Sequence, residues 1–396
     1  MINPIIIYLD SSDYSVFSDD SAKTQEILGI ENLLLRLRDE GKVEIRFSHI
    51  NVIEAAPTRI EDRLSSSKRL ETIKRFCGDK CLVSYVLVIE NEIKSLSNPK
   101  SLENQFNHLD ENGIWFPSLT DVNAFSYLAD DIREEISKIP DRNKRRLAQR
   151  KFFNADGSVK KANLYLKGSV DSFAKEISGK YPFTEESAKV AAESYFKNGS
   201  TASFTRLLSD SLSNIENISK WYEFSWDEAT QLSSFLREIG GDLLTSLEQL
   251  KDKSTELTNS YKLEGFSDSQ IKSKMNESFD GLLNSLPDSV VKRLSGNHIS
   301  SFNQKVSWEL CPSLLTLTTL SVYLVRLNSF TERKAKTSDF GDILHTAYLP
   351  YVDIFRADGN TASIIEQAKL PFRTRIVSKL TDLPNEINNL LKLKPK

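Results

Sequence analysis

Cysteine is scarce in this chain: 396 residues hold three, Cys77, Cys81 and Cys311. Three cannot close an even disulfide framework, and their spacing lacks the paired Cys-x-x-Cys of a structural zinc site, so they read as small buried hydrophobes. An excess of either charge is missing too. Lysine and arginine total 52 against 55 acidic residues, a formal net charge of −3. That balance excludes a strongly basic nucleic-acid coat protein but leaves room for a local basic stripe. Long hydrophobic runs are absent. The apolar start, Ile5 to Leu9, follows no basic segment and is far too short for a signal peptide or a bilayer span. Leu314 to Leu327 is apolar nearly all round, yet too short and too rich in threonine to cross a membrane. These absences predict a cytoplasmic protein with no membrane association. Neither a glycine-rich P-loop nor a Gly-x-Ser-x-Gly elbow occurs, which leaves P-loop nucleotide hydrolysis and serine hydrolysis without support.

What is present suffices for folding, since 39% of the residues are hydrophobic and 27% charged. The length exceeds what one core usually supports, so two domains, or one domain with a large insert, is expected. Ile5 to Leu9 is a β-branched run that stops at Asp10, as a buried parallel strand does at the carboxyl edge of its sheet. Thr24 to Arg38 has helical apolar spacing, Val43 to Phe47 alternates as a strand, and Asn51 to Ala56 reads as a helix stopped by Pro57. A polar helix over Thr58 to Phe76 and a strand-like Cys81 to Tyr85 follow. Near Ser95 the composition shifts, and Ser97-Asn98-Pro99-Lys100 reads as a domain exit. Amphipathic stretches then cover Leu119 to Ile139, Glu185 to Phe196, Phe204 to Ile218 and Asp227 to Leu250. Beyond a buried core helix at Leu314 to Leu327 come a helix at Asp339 to Leu349 and a strand at Asp353 to Asp358. The expected fold is α/β: a parallel sheet flanked by helices and split by a mostly α-helical insertion. Its parts are 1–95, an insertion over 96–305, and 306–396.

Four acids occupy comparable places in this pattern. Asp10 follows the first strand, Glu54 lies in a helix after the second, Asp342 lies in a helix, and Asp358 ends the last strand. Parallel α/β sheets gather ligand sites at the carboxyl ends of their strands, so these residues can converge although distant in sequence. Convergent carboxylates repel one another unless a hard cation holds them, and Mg²⁺ or Mn²⁺ prefers such oxygen ligands beside phosphates and waters. Asp339, Asp342 and His345 fall on roughly one helix face. Asp339 also suits a helix cap. His345 is placed either to contact a ligand carboxylate or to pack structurally, and Asp353 to support the site or to make a turn. Ser11 and Ser12 either orient a ligand or form the turn after the strand.

The strings Ile-Ile-Ile-Tyr-Leu-Asp10-Ser11-Ser12, Phe47-Ser-His-Ile-Asn-Val-Ile-Glu54, Asp342-Ile-Leu-His345-Thr-Ala-Tyr-Leu-Pro-Tyr-Val-Asp353 and Ile-Phe-Arg-Ala-Asp358 resemble the ordered acidic motifs of PIN-like ribonucleases. The match covers roughly 1–90 and 308–375. The resemblance implies a Mg²⁺- or Mn²⁺-dependent phosphodiesterase, most simply an endoribonuclease, with Asp10, Glu54, Asp342 and Asp358 as catalytic metal ligands. It departs from the family where a long insert separates Glu54 from Asp342, and where Gly359-Asn360-Thr361, with no basic residue, follows Asp358. A role as a toxin or defence effector is expected by family analogy alone.

The densest basic cluster is Arg142, Lys144, Arg145, Arg146, Arg150 and Lys151, followed by Phe152 and Phe153. Phosphate contact with stacking on phenylalanine suits single-stranded nucleic acid; a solvated helix face is the alternative. The tail Lys392-Leu-Lys394-Pro-Lys396 is a weaker signal of the same kind. RNA, or DNA cut by the same chemistry, is the expected substrate. A protein partner or inhibitor docking on the insertion is expected if the fold serves as a non-catalytic binding module.

Overall fold

The computed structural model describes residues 3–21, 23–97, 108–110, 113, 115–116, 133–134, 136–155, 160, 169–198, 202–294, 304–330, 336 and 338–393. Strand β1 (Ile5–Tyr8) leads through Asp10 into α1 (Ser11–Ser18), which is started by a capping box: Asp10 accepts from Ser12 N, and Asp13 accepts from Asp10 N. α2 (Gln25–Asp39), capped by Thr24, returns the chain to β2 (Val43–Arg46). Ser48 caps the short α3 (His49–Glu54), and α4 (Arg63–Cys77) follows a 3-10 turn at Ile60–Asp62. The strand-like run at Cys81 is shorter than its composition predicts. β3 (Cys81–Leu82) ends after two residues, and Tyr85 already opens α5 (Tyr85–Ser97). β3 pairs antiparallel with β4 (Leu109–Asp110). Buried Arg46 stitches this ribbon to β2 by donating to Cys81 O at 2.6 Å and Asp110 O at 2.7 Å.

The middle of the chain is helical where it is described: α6 (Arg142–Phe152), α7 (Ser169–Lys180), α8 (Glu185–Asn198), α9 (Ala202–Ser213), α10 (Ile215–Phe224), α11 (Trp226–Leu263), α12 (Asp268–Leu294) and α13 (Gln304–Leu310). The single helix expected over Phe204 to Ile218 is two, divided at Asn214, whose side chain caps α10 by accepting from Glu216 N at 3.0 Å. Of the expected helix over Leu119 to Ile139, residues 119–132 and 135 lie outside the described residues, as do 98–100 of the expected domain exit and 394–396 of the basic tail. α7, α8 and α9 build a small core of their own around Phe173, Phe183 and Phe204. The expected boundary at 95/96 is not a break in packing. Trp115, Phe116, Trp221, Tyr222 and Ala229 all join the core on one face of the main sheet, and Tyr222 Oη donates to Val52 O at 2.8 Å.

The chain then rejoins the sheet. α14 (Pro312–Phe330) and α15 (Asp339–His345), with a 3-10 segment at Thr346–Tyr351, precede β5 (Ile354–Arg356), α16 (Gly359–Ala368), β6 (Arg375–Val377) and α17 (Leu383–Leu393). The four-stranded sheet runs β2-β1-β5-β6 and every neighbour is parallel, with Ile5 opposite Val43, Ile7 opposite Ile354, and Ile354 opposite Arg375. Side chains alternate along β1. Ile5 and Ile7 face the core shared with α1, α2, α4, α10 and α17, while Ile6 and Tyr8 face α14, α15 and α16. Covered on both faces, the central strands are apolar throughout, which accounts for the unbroken Ile5–Leu9 run. Each isoleucine so buried contributes on the order of 1.5–3 kcal/mol. Among the described residues no helix is long and apolar enough to cross a membrane.

Candidate functional site

From β1 the chain moves by α2 to β2 on one side; the later strands β5 and β6 extend the sheet on the other. The order therefore reverses between β1 and β5, and a crevice opens at their carboxyl ends. Two of the expected acids stand there as helix N-caps. Asp10 begins α1 and spends Oδ1 on Ser12 N at 2.8 Å; Asp358 begins α16 and spends Oδ1 on Thr361 N at 2.7 Å. Each carboxylate is thereby fixed in orientation, and the N-terminal end of each helix offsets part of its charge.

Asp10, Asp342 and Asp358 together line a cavity of about 10 Å³, with His345, Arg356 and Thr361 completing the wall. That volume admits one water molecule or one small ion. Asp342 is pushed up to about 7, first by burial and then by the negative charges of Asp358, Glu54 and Asp10, against the opposing pull of His345. Asp342 thus feels the other three expected acids. Their arrangement is open: among the described residues, no three His, Cys, Asp or Glu side chains are placed to hold a metal ion.

Glu54 is one step removed. Its Oε2 lies 2.9 Å from His345 Nε2, and His345 Nδ1 lies 2.5 Å from Tyr8 Oη, itself 2.6 Å from Ser48 Oγ. Asn51 continues the chain of contacts, its Oδ1 accepting from Ser48 N at 2.9 Å and its Nδ2 donating to Ser11 Oγ at 3.1 Å. Ser11 in turn hydrogen-bonds Glu54. The result is a closed ring of six side chains drawn from β1, α1, α3 and α15. Burial alone would raise the Glu54 carboxyl, but the charge and hydrogen bond of His345, with Ser11 and Arg69, hold it below the usual carboxylate range. Burial alone would lower His345; Glu54 foremost, then Asp10 and Asp342, holds it above the usual imidazole range. Both shifts describe an imidazolium–carboxylate pair, in which His345 donates to Glu54 and to Tyr8 and Tyr8 donates to Ser48. Gly341 makes this pairing possible, because any β-carbon there would collide with Glu54 Oε1.

The cation beside the cavity is internal. Arg356 lies on its wall and pairs with buried Asp13 at 3.2 Å. Asp13 is pushed up to about 7 by burial, which outweighs the lowering by Arg356. Sequence reasoning passed over Asp13, although an Asp-x-x-Asp capping box at Asp10 marks it. It also passed over Tyr8, Ser48, Asn51, Gly341, Arg356 and Thr361. Of these, only Gly341 carried a local signal, a helix glycine between two acids.

Three expected residues have other surroundings. Asp353 sits at the amino end of β5, a full strand length from Asp358, where its Oδ2 accepts from Ile6 N at 2.8 Å and its own N donates to Ile6 O at 2.9 Å. It is a sheet-pairing residue. Asp339 is buried at the start of α15 and accepts from Lys336 N at 3.0 Å, tying down the approach to the helix; it does not border the cavity. Ser12 contributes its backbone N–H to Asp10. The basic residues Arg142, Lys144, Arg145, Arg146, Arg150 and Lys151 form α6, which has no buried residue and is capped by Asp141. None of them borders the cavity, and Lys151 Nζ lies 5.8 Å from the Phe152 ring centroid.

Three carboxylates thus border a cavity the size of one ion, with repulsion among them felt at Asp342, in an arrangement that does not by itself make a metal centre among the described residues. Compared with known proteins, the chain matches no family model, no curated protein and no solved structure.

Proposed function

We propose that the chain is a PIN-like, Mg²⁺- or Mn²⁺-dependent nuclease that hydrolyses phosphodiester bonds, with RNA as its substrate. The observation that carries this reading is the convergence of Asp10, Asp342 and Asp358 on one ion-sized cavity at the switch point of a parallel sheet. In this reading Asp10, Asp342 and Asp358 would hold the cation, and Glu54 adds negative charge from α3. A bound Mg²⁺ or Mn²⁺ supplies Lewis acidity for the phosphoryl oxygens and makes water more acidic. The remaining work falls to the protein's own groups. The caps at Ser12 and Thr361 fix Asp10 and Asp358, the six-membered ring fixes Glu54, and Arg356 limits the net negative charge the substrate phosphate meets. In this reading water, made more acidic by the cation, is the nucleophile. Exposed α6 would gather phosphates before cleavage. A cytoplasmic location, and a role as a toxin or defence effector, go with the reading by analogy alone.

The test compares matched single-stranded RNA and DNA with Mg²⁺, Mn²⁺ or EDTA, using the native chain, Asp10→Asn and Asp342→Asn. Metal-dependent cutting abolished by either substitution is the expected result, and the better substrate decides RNA against DNA. Absence of cutting, together with no metal-induced rise in Tm, would replace the nuclease with a binding module, in keeping with the open carboxylate arrangement.

A further inference from the structure

At the opposite edge of the sheet from the carboxylates lies a much larger cavity, of about 720 Å³. One wall is made by the segments that enter β5 and β6, around Tyr351 and Phe372, and the other by α12, α13 and α14. Its volume falls in the range of small-molecule sites, roughly 300–1,000 Å³. Three aromatic rings, Trp308, Tyr323 and Phe372, stand on its walls, and all three are only partly buried. Trp308 and Phe372 meet edge to face with centroids 5.7 Å apart. Rings in this state present stacking area to a planar heteroaromatic ligand. Asn284 and Glu309 on the same walls bring an amide and a carboxylate to the edge of such a ring, the groups that recognise ring N–H and carbonyl functions.

A further wall group is a cation, and its backbone is unusual. Lys369 ends α16 with φ 47° and ψ 49°, the one non-glycine residue with positive φ among the described residues. A helix C-cap in this left-handed conformation is ordinarily glycine, which adopts it without steric cost. Here an exposed lysine occupies the position on the cavity wall. A lysine, its ammonium carried on a flexible stem, beside a set of aromatic rings suits an anionic group attached to a planar base.

We propose that this cavity binds a nucleotide, its base stacked on Trp308 with Phe372 and Tyr323 beside it, and its phosphate on Lys369. The site is separate from the carboxylate cluster and does not depend on the nuclease reading. The test measures binding of adenosine 5′-monophosphate, adenosine and inorganic phosphate to the full chain by calorimetry and tryptophan fluorescence. The nucleotide should bind more tightly than either part alone. Lys369→Gly suits the left-handed backbone, so it should leave Tm unchanged or higher while weakening the nucleotide by about tenfold, the scale of one charge-assisted contact, with adenosine unaffected. Trp308→Leu should weaken nucleotide and nucleoside alike and remove most of the fluorescence change. Asp10→Asn with Asp342→Asn should bind the nucleotide as the native chain does. The proposal falls if the nucleotide does not bind at millimolar concentration, if neither Lys369→Gly nor Trp308→Leu alters its affinity, or if the double carboxylate substitution abolishes binding.

Discussion

Gly341 and Tyr8 set the position of Glu54 from opposite sides, one by leaving space and the other through His345. Gly341→Ala gains about 1 kcal/mol of helix propensity, while forcing a methyl group against Glu54 costs about 1–3 kcal/mol. Net stability should therefore change by no more than about 2 kcal/mol in urea titrations, the balance of those two effects, yet the Glu54–His345 contact is broken and cleavage should fall sharply. Equal activity in Gly341→Ala would remove Glu54 from the proposed machinery. Tyr8→Phe leaves Ser48 and His345 Nδ1 without their buried partner and should cost about 1–3 kcal/mol in the same titration. A pH effect belongs to His49, which packs near Tyr85 and Trp115 and is pushed by burial down to about 4. The unfolded chain takes up this proton near the ordinary histidine value of about 6.5. Between those values the unfolded state binds more protons, so stability is lost as pH falls from about 6.5 toward 4. Asp13 and Asp342, both raised to about 7, act in the opposite sense over the same window, their stability contribution being lost as pH rises. The informative quantity is therefore a difference: His49→Phe should lose less stability than the native chain between pH 6.5 and 4.5.

Among the elements, α6 is a helix whose charges can be changed without touching a core, since no residue of it is buried. Arg142→Glu with Arg146→Glu, one helical turn apart, should leave Tm unchanged and weaken RNA binding. If both arginines contact phosphate, the slope of log K against log salt should fall in magnitude by about 1.4 for single-stranded RNA. An unchanged slope would make α6 a solvated face. Elements dominated by a strong local pattern were legible in the sequence: β1 by its β-branched run, α2 and β2 by their periods, and the α14 region by apolar residues all round. Those set by tertiary context were not. β6 has three residues, one of them exposed, and takes its register from β5. α1 opens with Ser-Ser-Asp and looks like a turn until the Asp10–Asp13 capping box is read. The site divides the same way. The carboxylates announced themselves by standing at strand ends, whereas the bond of His345 to Glu54 spans 291 positions and has no local trace.

The whole molecule is held together across its chain ends, because β1 and β5 are central neighbours in one sheet. A protease site introduced at the exposed turn Glu264–Gly265, between α11 and α12, should give two fragments that co-elute on native size exclusion and part only in denaturant. Separation without denaturant would show that the sheet does not hold the ends together. The same pairing has a consequence for the order in which the molecule comes into being. A ribosome delivers Asp10 and Glu54 early, but Asp342 and Asp358 only some three hundred residues later, on the order of 15–60 s at ordinary elongation speeds. Throughout that interval the nascent chain has β1 and β2 but no β5, and thus no crevice. The carboxylate cluster is thus assembled only after β5 and Asp358 have been made, and a fragment released before them lacks it.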